Sequence, residues 1–261
     1  MALLECSYFS DVMGMHRTMR VIMPQRTLRN MDVVGVDEEG NFPVLYLLHG
    51  LGDDQNRWTN CSSIEAYAKA YNLAIVMPCA DRSFYCDMVN GPRYFTHIAD
   101  EVPRICQKMF RISRKRDHNF LAGVSMGGHG AFKIALRRPK KFAAAASLAG
   151  VLSLTVPEEH DWQAIPNEHE LIFGSDSVAG TENDITHLAQ TLDAEEGPKP
   201  KLYAWCGTED FLYEGNQVFR KSMAKTSLDF EYDEGPGDHQ WVYWNQEIRK
   251  VLDWLPLPET P

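Results

Sequence analysis

Asn119-Phe120-Leu121-Ala122-Gly123-Val124-Ser125-Met126-Gly127-Gly128-His129-Gly130-Ala131-Phe132-Lys133-Ile134-Ala135-Leu136 is the stretch whose reading decides the fold. A short apolar run of strand type meets a helix-like run across a Gly-x-Ser-x-Gly turn. A sharp strand-to-helix turn lifts the serine oxygen clear of a sheet, and it needs small residues on both sides so that neighbouring backbone can approach closely. Gly123 and Gly127 meet that need. The helix opening at Met126 then aims free N–H groups and its positive dipole end at any negative charge that develops beside Ser125. Taken alone the turn could be a Gly-rich helix cap with Ser125 as its N-cap, but a strand before it and a helix after it favour a nucleophile. A phosphate-binding loop is excluded, because His129 stands where that motif requires Lys.

Working outward, short apolar runs at 44–48, 73–77, 119–124, 142–148, 201–206 and 228–232 alternate with amphipathic stretches at 62–71, 96–110, 126–137, 213–224 and 240–254. Strand followed by helix, repeated, predicts class α/β, with a mostly parallel central sheet of about eight strands flanked by helices. Two β-type stretches, 3–10 and 15–23, precede the repeat; the Asp11-Val12-Met13-Gly14 turn between them predicts an antiparallel pair. Residues 152–200 break the rhythm with Pro157, Pro166, Pro198 and Pro200 and little apolar period, and read as an insertion in a single domain spanning 1–261. It is a solvated excursion or a cap over the site.

In sheets of this kind ligands sit beyond the carboxyl ends of the strands. A serine at its ordinary pKa needs a base within reach, and this architecture orders its parts serine, acid, histidine along the chain. Gly207-Thr208-Glu209-Asp210 follows the strand at 201–206, and Gly237-Asp238-His239 follows the next. Asp210 is therefore the candidate acid, with Glu209 second, and His239 the candidate base. The other histidines (His16, His97, His118, His129, His160, His169 and His187) end no late strand. A second oxyanion donor is expected after the strand at 44–48, where His49-Gly50-Leu51-Gly52 pairs the Leu51 N–H with that of Met126. Trp58, Tyr85 and Trp241 are candidate substrate-binding aromatics, with Phe84, Tyr94 and Trp162 behind them.

Composition narrows the rest. The chain has 261 residues, 44% hydrophobic, and 26 basic against 36 acidic side chains leave a net charge of −10. An acidic chain of this kind argues against nucleic acid or an anionic membrane as partner. The longest weakly polar run, 142–156, is shorter than the roughly 18 to 20 residues that span a bilayer. Glu5 sits where an export signal would be basic and then apolar, so a cytoplasmic location is expected. Six scattered cysteines form no C-x-x-C pair and nine histidines show no metal-ligand spacing, so neither a metal nor another cofactor is expected.

Together His49-Gly50-Leu51-Gly52, Gly123-Val124-Ser125-Met126-Gly127-Gly128, Gly207-Thr208-Glu209-Asp210 and Gly237-Asp238-His239 resemble the esterase D-like α/β-hydrolases. Within that group the chain is most similar to the bacterial tributyrin esterases, relatives of S-formylglutathione hydrolases and of feruloyl and acetylxylan esterases. The likeness runs over nearly the whole chain, Asp81-Arg82-Ser83-Phe84-Tyr85 included, and is weakest in 152–200. It implies a serine carboxylesterase for short acyl groups, with Ser125 as nucleophile, Asp210 as acid, His239 as base, and Leu51 and Met126 as oxyanion donors. The resemblance also allows a carbohydrate acetyl or feruloyl esterase, a thioesterase, an acyltransferase, and a homo-oligomer. S-formylglutathione hydrolases of the group usually carry His-Gly-Leu-Thr-Cys, whereas Gly52-Asp53 follows Leu51 here.

Overall fold

The computed structural model describes residues 1–25, 36–154 and 164–257. Among these an eight-stranded sheet runs in the order β1-β2-β4-β3-β5-β6-β7-β8. The strands are β1 (Ala2–Ser10), β2 (Met15–Met23), β3 (Val44–Leu48), β4 (Ala74–Pro78), β5 (Asn119–Val124), β6 (Ala144–Leu148), β7 (Lys201–Gly207) and β8 (Phe230–Gly235). The hairpin β1–β2 is antiparallel and β2 joins β4 antiparallel, while β3 through β8 pair in parallel. The expected fold class is the observed one.

Parallel strands covered on both faces must be apolar at every position rather than at alternate ones. Every residue of β3, β4, β5 and β6 is buried. Alternation then sends Val44, Tyr46 and Leu48 to one face and Leu45 and Leu47 to the other. The first face is covered by α4 (Val102–Met109), α5 (Met126–Arg137), α7 (Ile185–Ala194) and α8 (Tyr213–Met223). The second is covered by α1 (Arg57–Cys61), α2 (Ile64–Ala70) and α9 (Trp241–Trp254). Each fully buried Leu, Ile, Val or Phe in these layers contributes roughly 1.5–3 kcal/mol. Short α3 (Tyr94–Thr96) leads through a π turn at His97–Glu101 into α4.

Residues 152–200 are more regular than their prolines suggest. They hold α6 (Glu168–Phe173) and α7, the crossover helix between β6 and β7. Ile185, Leu188, Ala189 and Leu192 repeat at helical spacing on the face that meets the core, and the Asp184 carboxylate caps the helix by accepting the Thr186 and His187 amides. The excursion is thus confined to the part before α7. Trp162 and His160 lie outside the described residues. No helix among the described residues is long and apolar enough to cross a membrane.

Among the described residues four histidines are buried, His49, His97, His118 and His129, and three of them fasten parts of this framework together. His97 bonds Tyr8, Ser10 and Glu101, fastening the β1–β2 hairpin to the π turn. The Nδ1 of His129 lies 2.8 Å from the Val151 carbonyl, and the Nε2 of His49 accepts the Ala80 amide. Burial holds the pKa of all three below the ordinary histidine value. The unfolded chain therefore takes up protons first as pH falls, so the stabilisation these groups give is complete above about pH 6.5 and is lost below it. Carboxylates held below their usual range, such as Asp100 and Glu168, act only at lower pH. The urea midpoint is expected to be lower at pH 5.5 than at pH 7.5; equal midpoints would contradict this account.

Candidate active site

Ser125 is the residue between β5 and α5, and its backbone lies at φ +53° and ψ −122°. Strain of this kind in a non-glycine residue costs on the order of 1–3 kcal/mol and persists only where packing enforces it. Here the flanking glycines make the enforcement. A Cβ on Gly123 would lie 2.3 Å from the Gly127 carbonyl oxygen, and one on Gly127 would lie 2.5 Å and 2.6 Å from the carbonyl oxygens of Leu48 and His49. The Ser125 amide donates to the Leu148 carbonyl, which ties the turn to β6. The side chain does not cap α5. Its Oγ lies 3.0 Å from the Nε2 of His239 instead.

His239 stands in the loop between β8 and α9. Its Nδ1 is 2.8 Å from the Oδ2 of Asp210, and its ring is held by Phe211 and Trp244, whose centroids lie 4.5 Å and 4.8 Å away. The carboxylate of Asp210 is fully buried, and its other oxygen accepts the Leu212 amide. With Nδ1 facing a carboxylate and Nε2 facing a hydroxyl, the network assigns the proton to Nδ1 and leaves Nε2 as acceptor. Serine, acid and histidine, from three loops at one rim of the sheet, thus meet in the expected order.

Glu209 has a different place. Its carboxylate accepts the Gly237 amide at 2.6 Å and the Thr208 hydroxyl, contacts that hold it below the usual carboxylate range. The Thr208 and Glu209 amides donate to the Gly235 and Gly237 carbonyls. Glu209 therefore laces together the loops after β7 and β8, the loops that carry Asp210 and His239.

The turn after β3 lies against Ser125, since a Cβ on Gly50 would be 3.6 Å from that of Ser125. His49 sets its orientation. Because its Nε2 accepts the Ala80 amide, its Nδ1 carries the proton and donates to the Gly50 carbonyl at 2.8 Å. The Asp53 amide donates to the same carbonyl. In a trans peptide the N–H points opposite to the C=O, so anchoring the Gly50 oxygen turns the Leu51 N–H the other way. The Met126 N–H belongs to the first turn of α5, where amides lack a partner within the helix. Sequence reasoning treated His49 only as part of a motif and missed its positioning role.

Two of the three candidate substrate-binding aromatics are corrected by burial. Trp58 is 1% exposed and its indole N–H donates to the Leu48 carbonyl; Tyr85 is 0% exposed and its hydroxyl donates to the His49 carbonyl. They brace the chain at the end of β3 from the two opposite faces of the sheet, because an amphipathic ring in a core must place its polar tip on a partner. Phe84 is buried as well, and Tyr94 donates its hydroxyl to Asp81. Trp241 alone of the three keeps some exposed surface, at the start of α9, edge-on to Trp58 with the Arg57 guanidinium over its ring. Arg57 also pairs with Asp53, a carboxyl that burial raises above its ordinary value. On another side, Arg82 forms a two-pronged pair with the buried Glu168, holding α6 to the loop after β4. Among the described residues no group of three or more His, Cys, Asp or Glu side chains could hold a metal ion.

The profile of the esterase family, described as "Putative esterase", matches residues 10–255. The chain belongs to the esterase family. It is a carboxylic ester hydrolase. An acetyl esterase of Caldicellulosiruptor saccharolyticus is 30% identical over 262 aligned residues, covering 98% of both chains. Among solved structures, FphF, a fluorophosphonate-binding serine hydrolase of Staphylococcus aureus, superposes with a TM-score of 0.88 at 36% identity and 98% coverage of both chains. The S-formylglutathione hydrolase FrmB of Staphylococcus aureus gives 0.85 at 36% identity and the same coverage.

The bracing of β3 makes a stability expectation. Tyr85→Phe leaves the buried His49 carbonyl without its donor and should cost about 1–3 kcal/mol in urea unfolding, the penalty of an unsatisfied buried acceptor. An unchanged midpoint would show that the phenol is not an anchor.

Proposed function

We propose that this esterase hydrolyses short-chain acyl esters through an acyl-enzyme on Ser125. The observation that carries the reading is the continuous path Ser125 Oγ, His239 Nε2, His239 Nδ1, Asp210 Oδ2, with steps of 3.0 Å and 2.8 Å. As Ser125 attacks the ester carbonyl, His239 takes its proton, and Asp210 stabilises the imidazolium while fixing its tautomer. The Leu51 and Met126 amides hold the tetrahedral oxygen; one such donor is worth roughly 2.7–4 kcal/mol of transition-state stabilisation. The imidazolium then protonates the leaving alcohol. A water activated by His239 attacks the acyl-enzyme, and breakdown of the second intermediate frees the carboxylic acid and Ser125.

A short acyl group is supported by the acetyl esterase relative and by the absence from the sequence of a long apolar insertion of lipase-lid type. Trp241 is the aromatic we assign to the entrance, supported by its partly exposed ring, and 164–174, docked through Arg82–Glu168, is the segment we assign as a cap. A thioester reading deserves the matched assay because FrmB carries that activity in its name. Six free cysteines favour a reducing, cytoplasmic setting.

Ser125→Ala and His239→Ala are each expected to lower turnover of p-nitrophenyl acetate by roughly 10⁶, with the urea midpoint retained. A folded Ser125→Ala protein with parental activity would refute the mechanism. Asp210→Asn should lower kcat by about 10⁴, as loss of the correct tautomer does in other triads. Glu209→Gln, which disturbs only the lacing of the loops, should retain far more activity; the reverse ranking would reassign the acid. In a series of oxygen esters with thioesters of matched acyl groups, kcat/KM should peak at acetate or butyrate and favour oxygen; a maximum on S-formylglutathione would replace this substrate class.

A further inference from the structure

Two turns along α5 from Ser125, the helix carries a lysine in the core. Lys133 is 0% exposed, and its Nζ donates to the Phe84 carbonyl at 2.7 Å, the Asn183 side-chain oxygen at 3.2 Å and the Cys86 Sγ at 2.9 Å. The three groups around the nitrogen are a carbonyl, an amide oxygen and a sulfur, and none of them is a carboxylate. The nearby Glu182 pairs with Arg137 at 2.6 Å. Burial without a counter-ion favours the neutral amine, and burial likewise keeps Cys86 a thiol, with Lys133 working against it. A nitrogen and a sulfur 2.9 Å apart stand about as far from each other as the two ends of a bent link through a single oxygen atom.

We propose that Lys133 and Cys86 are a modification site, joined by dioxygen into a reversible Nζ–O–Sγ cross-link. The amine, the thiol and one dioxygen give the link and one water. The O–O bond, one N–H bond and the S–H bond break; an N–O and an O–S bond form. One oxygen atom becomes the bridge and the other leaves as water with two of the three hydrogens. Four electrons pass to dioxygen, two from sulfur and two from nitrogen. Two equivalents of a dithiol return the amine, the thiol and water.

The surroundings select this product over the usual fates of cysteine. Cys86 is 0% exposed, so glutathione and other bulky thiols are kept from the sulfur, while dioxygen is small enough to enter through local opening. The Phe84 and Asn183 oxygens hold the amine beside the sulfur. The link would join α5 to the 84–86 loop, whose Tyr85 braces the His49 carbonyl. It does not depend on which ester the enzyme prefers.

The full chain, freed of thiol reductant and held in air-saturated buffer, is expected to gain the mass of one oxygen less two hydrogens. Proteolysis should yield one peptide pair joined through Lys133 and Cys86, and dithiothreitol, added once unfolding or digestion has opened the site, should abolish both signals. Cys86→Ser, which retains a hydroxyl beside the amine, should lose the joined pair, whereas Cys106→Ser should keep it. Oxygen added at Cys86 without loss of hydrogen, loss of two hydrogens alone, an unmodified Cys86 after prolonged exposure, or a joined pair persisting in Cys86→Ser would each overturn the proposal.

Discussion

The close approach of β5 to α5 is the constraint from which the rest of the site follows. With Gly123 against the Gly127 carbonyl and Gly127 against the Leu48 and His49 carbonyls, no side chain beyond hydrogen fits at either position. Strand, helix and the end of β3 are thereby locked into one unit. Ser125 has no relaxed backbone conformation available within that unit, and its hydroxyl is turned out of the sheet toward the rim. The core maintains the strain: from Met126 to Leu136 every residue of α5 is buried. A helix enclosed on all sides cannot tilt to relieve its first turn.

The other components reach the same rim by separate supports. Trp58 fixes the last carbonyl of β3, that of Leu48, Tyr85 fixes that of His49, His49 fixes that of Gly50, and the loop bearing the Leu51 amide follows. Glu209 joins the loops of Asp210 and His239 before either can act on the other. Several of these supports are polar side chains buried on single backbone partners. Their arrangement is favourable only when complete, because an unpartnered carbonyl or amide in a dry core costs more than its hydrogen bond contributes.

Much of this was legible in the sequence because it rests on local signals. The strand runs are continuous and apolar, the elbow has its glycines, and the acid and histidine follow their strands. Boundaries moved where local pattern and pairing disagree: Phe142 and Ala143 are apolar and buried but precede β6, and β8 extends to Gly235 through Asp233 and Glu234, polar residues tolerated on an edge strand. The helix α7 was hidden because nearby prolines outweighed its i, i+3, i+4, i+7 period and its Asp184 cap. Trp58 and Tyr85 were misplaced for another reason. An aromatic near a motif looks the same in sequence whether it faces the cleft or braces it, and only the position of its polar tip in space tells the two apart.

The anchoring of α6 through Arg82 and Glu168 divides the molecule unevenly. Beneath the rim, almost every atom near Ser125 is committed to a neighbour whose own position depends on it, so substitutions there are coupled and rarely neutral. Among the described residues, the segment around α6 meets that scaffold through the ion pair, the amides of Val89 and Asn90, and the buried Ile172 and Phe173. On the proposal that this segment caps the site, variation accumulating in it would reshape which esters are admitted while the chemistry below stays fixed, so new selectivities would arise without rebuilding the machinery that cleaves the bond.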